Sequence, residues 1–554
     1  MNKKYLLILL FNASFIYSQD ILWEKTYGGI HADYLFDAQP TADYGFILAG
    51  SSVSDKTGNK TDGNSGDLDY WIWKMNENGN LDWQKSIGGS GFDLLQSIKN
   101  TNDGGFILAG TSNSPNDFQK KDSCKGGTDF WVIKLNAMGN EQWQKTIGGT
   151  GQDELICAFQ TRDGGYMLGG ASSSSPELID NELVESQSSF ATPDLYSKSE
   201  KSRGNMDYWI VKLDKAGVVE WQKTYGGIYA DVLRSMEQTK DGGYILGGYS
   251  NSPQSGDKTE PNNGIGDYWI IKINDKGNIE WQKTYGGNGD NQLYVIHQTE
   301  DEGYIAGGNS NSTNALTSLG GTVGRGTDYW VLKLDKKGNV IWSKTFDFGK
   351  TDILTSLLEN KDNTYLIGGY SQNEEKKPRE GITGKVTGLI NKSREENGYI
   401  ALKVDDKGEE VWRKTVGSSG EDVLQKLFEI RDGGYLMAGT SKSGTSKNKN
   451  SSIGGNDFWI VKLKDKLKPD KVKAKGIEAI PNPVVTFTNI IIGYEYEKGT
   501  ATVVDMAGRT LQQFSITDRT IPVDLSHYPE GIYVINVKTN VQSDGVKVIR
   551  KGNN

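Results

Sequence analysis

Cysteine is almost missing from this chain, with Cys124 and Cys157 the two thiols in 554 residues, so a disulfide-stapled scaffold is excluded. Histidine is as scarce: His31, His297 and His527 are far apart in sequence, and no Cys or second His stands at ligand spacing, so no transition-metal site is expected. Cationic excess is also absent. The net charge is −9 and the pI about 5.2, which argues against a protein that holds nucleic acid or an anionic membrane by charge. Beyond the first residues no apolar run is long enough to cross a bilayer. No Ser-His-Asp set, glycine-rich phosphate loop or pair of catalytic acids can be assembled, so no catalytic residue is assigned.

What the chain has is repetition, with 70 Gly and 14 Trp placed periodically. A Trp-x-Lys element begins at Trp23, Trp83, Trp143, Trp221, Trp281, Trp342 and Trp412. In the second copy the unit runs from Gly88-Gly89 and Asp93 through a short apolar stretch to Asp103-Gly104-Gly105-Phe106. It continues to Gly110, a polar loop, Asp129-Phe130-Trp131 and a new Trp-x-Lys at Trp143. Alternation and turn residues divide each unit into four strands, and four-stranded units repeated seven times predict a seven-bladed β-propeller over residues 19–463. The sixth copy is eroded, with Ile400 where the others carry Trp.

Strand three of the last unit, Asp457 to Leu463, is not followed by a Trp-x-Lys strand, whereas Trp23 to Tyr27 precedes the first complete unit. The N-terminal strand should therefore close the last blade, because an open array would leave unpaired edges. Length varies mostly in one slot, between strands two and three: 51–68, 111–128, 171–206, 249–266, 309–327, 371–397 and 440–456. Variation confined to one side of a scaffold predicts a binding face.

Residues 1–18 read as a signal peptide, with a charged head and an apolar core. A Lys-rich linker covers 464–476, and short strands over 477–554 predict a small β-sandwich. That last segment resembles the C-terminal sorting domain of type IX (Por) secretion cargo in the Bacteroidota. The resemblance rests on Pro481-Asn482-Pro483, Asp505 and Gly508 in Val504 to Arg509, Gly531 and Tyr533 in Gly531 to Ile535, and Lys547 to Arg550. It implies export through the type IX translocon, a sorting peptidase as a second partner, and a final location on the outer cell surface or in the medium. The repeats resemble a poorly characterised seven-copy propeller group often found before such domains, which implies a fold and no ligand.

Repeated acidic residues begin strand one (Asp33, Asp93, Asp153, Asp231, Asp352, Asp422, with Asn291 in the fifth copy) and precede strand three (Asp69, Asp129, Asp207, Asp267, Asp328, Asp457). Equivalent carboxylates in every unit suggest turn caps rather than catalysts. The acidic loop holding Asp55, Asp62, Asn64, Asp67 and Asp69 is the candidate Ca²⁺ ligand set, without the spacing of an EF-hand. Lysines repeat on strand three (Lys74, Lys134, Lys212, Lys272, Lys333, Lys403, Lys462) and are expected to blunt the outer edge of each blade. Candidate contacts for a glycan or surface-protein ligand are Phe118, Phe190, Tyr196 and Arg203 in the variable loops. The leading expectation is an exported, non-catalytic binding or adhesion protein. The alternatives are a polysaccharide-active lyase or hydrolase and a structural accessory of the outer-membrane machinery.

Overall fold

The computed structural model describes residues 19–176, 195–313, 326–372, 397–431, 433–466, 476–494 and 496–552. Seven four-stranded antiparallel sheets follow one another along the chain, each a meander from inner strand to outer strand. In blade 2 the strands are Asp93–Asn100, Phe106–Ser112, Asp129–Leu135 and Glu141–Ile147. Their order follows from the sequence: a Gly-containing turn closes each hairpin, and the two middle strands, apolar on both faces, are wholly buried between neighbouring sheets.

The ring closes as the orphan strand requires. Asp20–Tyr27 pairs antiparallel with Asp457–Lys464 and completes blade 7, whose other strands are Glu421–Glu429 and Tyr435–Lys442. Side chains confirm that this strand replaces a fourth strand. In blades 1 to 4 the strand-three Trp indole donates to the Gln of the Trp-Gln-Lys element, as in Trp71 to Gln84 at 3.2 Å and Trp131 to Gln144 at 3.1 Å. In blade 7 Trp459 donates to Glu24 of the closing strand at 2.8 Å. The eroded sixth blade loses both partners together, having Ile400 and Arg413.

A second repeated contact holds blade to blade. The aromatic before the third residue of strand three stacks on the Trp of the next blade wherever that blade has one, as in Tyr70 on Trp131 (4.7 Å between centroids) and Phe130 on Trp209 (4.5 Å), whereas Tyr329, facing the blade with Ile400, meets Phe348 instead. Phe458 on Trp71 at 4.6 Å carries the same contact from blade 7 back to blade 1. Each such pair adds about 1 kcal/mol beyond its buried area. Gly110 shows why strand two ends in a small residue: a Cβ there would lie 2.1 Å from the Leu94 carbonyl oxygen and 2.5 Å from the Tyr70 hydroxyl of the preceding blade.

The strand-three lysines overturn the expectation of an outer-edge role. Lys134 is buried, and its ammonium meets Asp103 at 2.8 Å and the Leu135 carbonyl at 2.8 Å. Equivalent pairs join Lys74 to Asp43, Lys212 to Asp163, Lys272 to Asp241, Lys333 to Asp301 and Lys403 to Asp362. Each ties the turn between strands one and two to strand three. Burial opposes ionisation of Asp163 and Asp362, but hydrogen bonds to a turn threonine and to the paired lysine outweigh it and bring both to about 2.

The C-terminal segment is a two-sheet sandwich. Ile477–Ile480, Phe487–Ile492 and Thr520–Asp524 form one sheet. Gly499–Asp505, Thr510–Ile516, Gly531–Thr539 and Ser543–Arg550 form the other, around a core of Ile490, Ile492, Val503, Ile535 and Val548.

Candidate functional site

Antiparallel meanders bring the slots between strands two and three, and the connections from each strand four to the next strand one, to the same side of the ring. On this loop face the repeated aspartates are caps. Gly89 N–H donates to Asp93 at 2.8 Å, Gly149 to Asp153 at 2.8 Å and Gly227 to Asp231 at 2.7 Å. Ser65 donates to Asp69 at 2.5 Å and Asn263 to Asp267 at 2.6 Å. Five of the strand-three aspartates also face the strand-one Asp of the next blade across the seam, and Asp267 faces Asn291; the chain segments just before them pair, as Leu68 does with Phe92. The outcome is a set of buried carboxylate pairs. Burial first, with the facing carboxylate adding to it, pushes Asp69, Asp129 and Asp207 up to about 6.

Between the two aspartates of a single blade sits a loop lysine that no repeat spacing had singled out. Lys60, Lys120, Lys198, Lys258 and Lys449 are all buried although they belong to variable loops. Lys120 donates to Thr146 at 2.6 Å and Lys198 to Ser172 at 2.7 Å. Desolvation lowers Lys198 to about 8, while Asp153 and Asp207 oppose that shift. These lysines pin the bases of five loops, those of blades 1 to 4 and 7, to the frame, so these five differ only beyond a common anchor. The signal was legible only as a Lys two residues after a left-handed turn position: Gly58, Phe118, Gly256 and Lys447 all have positive φ there.

Phe118 is 68% exposed and holds a φ of 45° at a position where blades 1 and 4 use glycine. Tyr196, at the equivalent place in blade 3, is half-buried, with the Lys145 ammonium 4.8 Å from its ring centre. Arg203 is a structural tie rather than a free contact: its guanidinium pairs with Asp257 of the next loop at 2.8 Å. Phe190 lies outside the described residues. Sequence reasoning missed the exposed aliphatic side chains on this face. Ile228 and Ile265 are 50% and 71% exposed, and Ile30, Leu195 and Tyr229 are exposed as well.

The acidic loop of blade 1 does not gather ligands. Asp62 accepts from Ser86 N–H at 3.2 Å, Asn64 donates to the Gly66 carbonyl at 2.7 Å, and Asp69 is a cap. In the channel, Asp37 is held by Lys99 at 3.3 Å and Lys426 at 3.6 Å, and His297 pairs with Glu237 at 3.0 Å. Burial pushes the Cys124 and Cys157 thiols up to about 11 and 12, so neither is an activated nucleophile.

In the C-terminal sandwich the motif residues mostly build the domain itself. Asn482 donates to the Lys547 carbonyl at 2.7 Å and accepts from Ile549 N–H at 3.0 Å. Tyr533 donates to the Pro529 carbonyl at 2.6 Å, and Arg550 clamps the carbonyls of Leu525 and Ser526 at 2.9 and 3.1 Å. Asp505 caps the turn through Ala507 and Arg509, both at 2.9 Å, and Gly508 supplies its positive φ of 79°. Pro481 and Pro483 both follow cis bonds, and Gly531 opens the strand that carries Tyr533. Lys547 is exposed. Residues 478–551 match the family described as "Secretion system C-terminal sorting domain". The tail is a type IX sorting domain. It marks the chain as exported cargo, attached to the cell surface or released from it.

Among solved structures the chain is similar to the Neurospora crassa Pan2 WD40 domain, at 9% identity over 80% of this chain and 97% of that one, with a TM-score of 0.39. It is also similar to BBS1N in complex with ARL6DN, at 9% identity over 81% and 98% of the two chains and a TM-score of 0.39. A third likeness, to puromycin hydrolase, has 8% identity over 83% of this chain and 58% of that one, with a TM-score of 0.39. Likenesses this distant carry no functional argument, and the fold rests on the strand pairing above. Comparison with curated proteins found no match.

The sorting domain packs against the short-turn face, opposite the loops. Glu478 accepts from the Tyr44 hydroxyl at 2.8 Å and pairs with Arg431 at 3.2 Å, while Arg519 pairs with Glu77 at 3.0 Å. The Arg431 guanidinium lies 3.9 Å from the Tyr44 ring centre. Between these contacts lies a cleft of about 980 Å³ lined by Glu77, Trp83, Phe106, Asn489 and Arg519.

Proposed function

We propose that this exported propeller is a non-catalytic binding protein that uses its loop face to hold a macromolecule at the cell surface. The observation that carries the reading is the division of the two faces. The sorting domain takes the short-turn face, and exposed Ile30, Phe118, Leu195, Ile228, Tyr229 and Ile265 lie on the other. Scattered apolar side chains are ordinary, but several on the loops and connections of one face suit a docking surface. Most are branched aliphatics, which cannot stack flat on a sugar ring as an aromatic can. A protein partner therefore fits better than a glycan.

The triple substitution Phe118→Ser, Ile228→Ser, Ile265→Ser tests this. Each buried apolar anchor at an interface contributes ~1–3 kcal/mol, so the triple variant should weaken binding to surface proteins extracted from the producing cells by about 100-fold or more. Its melting temperature should stay near that of the unsubstituted protein. The control pair Ile341→Ser, Val411→Ser, on outer strands at 55% and 42% exposure, should bind normally. Equal loss in both variants would sink the reading. Binding to purified surface polysaccharide alone would favour a glycan ligand.

Export is tested separately. Without residues 476–554 the propeller should fold but fail to reach the cell surface or medium, as read by protease accessibility on intact cells. Surface exposure of the truncated chain would remove the sorting role.

A further inference from the structure

Every strand one carries a bulge three residues after its capping Asp or Asn, where the register with strand two slips. A bulge re-aims the extra side chain, and all seven are half-buried on the innermost strand, toward the loop-face mouth of the channel. In six blades the bulge residue is uncharged, with Gln96 and Gln425 in blades 2 and 7 and Tyr294 in blade 5; in blade 4 it is Arg234. A second departure meets the first. The residue after the closing glycine of strand two is Ser51, Thr111, Asn309 or Thr440 in blades 1, 2, 5 and 7, and its side chain accepts a strand-one N–H of the next blade, as Thr111 does from Leu155 at 3.0 Å. Blades 3, 4 and 6 carry Ala171, Tyr249 and Tyr370 there instead.

The two departures place the Arg234 guanidinium beside two rings, 6.0 Å from the Tyr249 centre and 5.8 Å from the Tyr294 centre. Arg234 makes no hydrogen bond or ion pair with any described residue, although its Nε is buried. Among the described residues no other buried cationic nitrogen is left without a partner, and a charged donor in that state costs more than a neutral one. The other charges of the channel are matched. One to three residues further along strand one, Lys99 and Lys426 meet Asp37 at 3.3 and 3.6 Å, and His297 meets Glu237 at 3.0 Å. Toward the mouth, Glu154 of blade 3 is exposed, and Asp290 of blade 5 accepts from Gln292 at 2.7 Å. Neither reaches Arg234 as an ion pair, so a positive charge with aromatic walls stands unmatched and open to the loop face.

From these observations we infer that Arg234, Tyr249 and Tyr294 form a site for a single carboxylate group that enters the channel from the loop face, carried by a free organic acid or by an acidic side chain of a docked protein. A guanidinium presents a planar fork of N–H donors that matches the two oxygens of a carboxylate. One negative charge suffices, because the charges deeper in the channel already balance; a phosphate dianion would leave an excess charge in a half-buried place. The two rings hold the guanidinium through its charge and offer an apolar wall to the body of the acid.

The test uses the purified full chain and two pairs of small probes, followed by saturation-transfer NMR and calorimetry. Benzoate is set against benzamide, and acetyl-aspartyl amide against acetyl-asparaginyl amide. At least one acid should bind one site per chain, with its neutral counterpart at least 10-fold weaker. Benzoate alone points to a free acid, acetyl-aspartyl amide alone to a protein side chain, and equal binding to the carboxylate by itself. Arg234→Gln and Tyr249→Thr install the residues that blades 2 and 7 carry at these places, so both should melt within a few degrees of the unsubstituted protein and bind the acid at least 10-fold more weakly. Arg234→Lys, which keeps the charge but not the fork, should fall between. Because the probes are small, loss of this site and loss of the rim partner are separate results. The inference is overturned if neither acid binds, if inorganic phosphate binds more tightly than either, or if Arg234→Gln and Arg234→Lys both keep the full affinity.

Discussion

Removing residues 20–27 should abolish cooperative folding of the whole propeller, although those residues lie more than 400 positions from the strand they pair with. The deletion strips blade 7 of its outer strand and exposes one side of Trp459, Ile460 and Leu463, all fully buried in the closed ring. A net stability of about 5–15 kcal/mol, typical of folded domains, does not survive loss of a full ladder and its apolar cover. A smaller change isolates the closure itself. Glu24→Ala removes the acceptor for the Trp459 indole (2.8 Å) and for Asn450 N–H (3.1 Å), and should cost ~2–3 kcal/mol. Glu24→Gln copies the blades where Gln serves the same Trp and should be nearly neutral. Denaturant unfolding of the three variants checks the order, and equal loss for Ala and Gln would contradict the assigned role.

The seams should make the protein less stable as pH rises from about 4 to above 6. A carboxyl of ordinary pKa 3.8 that is held at about 6 in the folded state, as are Asp69, Asp129 and Asp207, binds its proton more tightly folded than unfolded. Its contribution is complete below 3.8, and it is lost as pH passes through the folded value. Two pH units amount to ~3 kcal/mol per seam as an upper figure, and the two acids of each pair titrate together. Blade 5 shows the remedy already in place. Asn291 stands where other blades carry Asp, and its amide donates to Asp267 Oδ1 at 3.1 Å. Asp93→Asn and Asp231→Asn should therefore raise the melting temperature at pH 8 by several degrees and leave it unchanged at pH 4. The acid-side loss from the lysine-paired turn aspartates, such as Asp163 at about 2, is common to all variants and cancels in the difference. A stabilisation equal at both pH values would show that the proton is not what the seam lacks.

Much of the frame was legible in the sequence because its constraints recur. Leu35, Leu95 and their five equivalents are buried, as the repeated position implies, and counting strands left Trp23 to Tyr27 with one place to go. Charged residues were harder to read. Lys134 sits beside aromatic residues on a strand near the rim, where a solvated ammonium is the ordinary outcome, and only its pairing with a turn Asp 31 positions earlier explains its burial. The Gln of Trp-Gln-Lys looked like a spacer until the indole it accepts from was placed opposite it. In the loops, Phe118 is exposed and Arg203 pairs with Asp257, neither of which the sequence states. A repeat reveals what is common to all blades, whereas a feature that occurs once, such as Asp347 in place of glycine, shows only as a departure whose neighbours must be seen in space.

Hydrogen exchange of the purified protein, free and saturated with its extracted surface partner, tests the central claim most directly. Protection is expected in the loop-face connections 28–32, 115–119, 226–230 and 262–266, with the short turns 41–45 and 76–80 unchanged. Protection of the short turns with an unaltered loop face would contradict it.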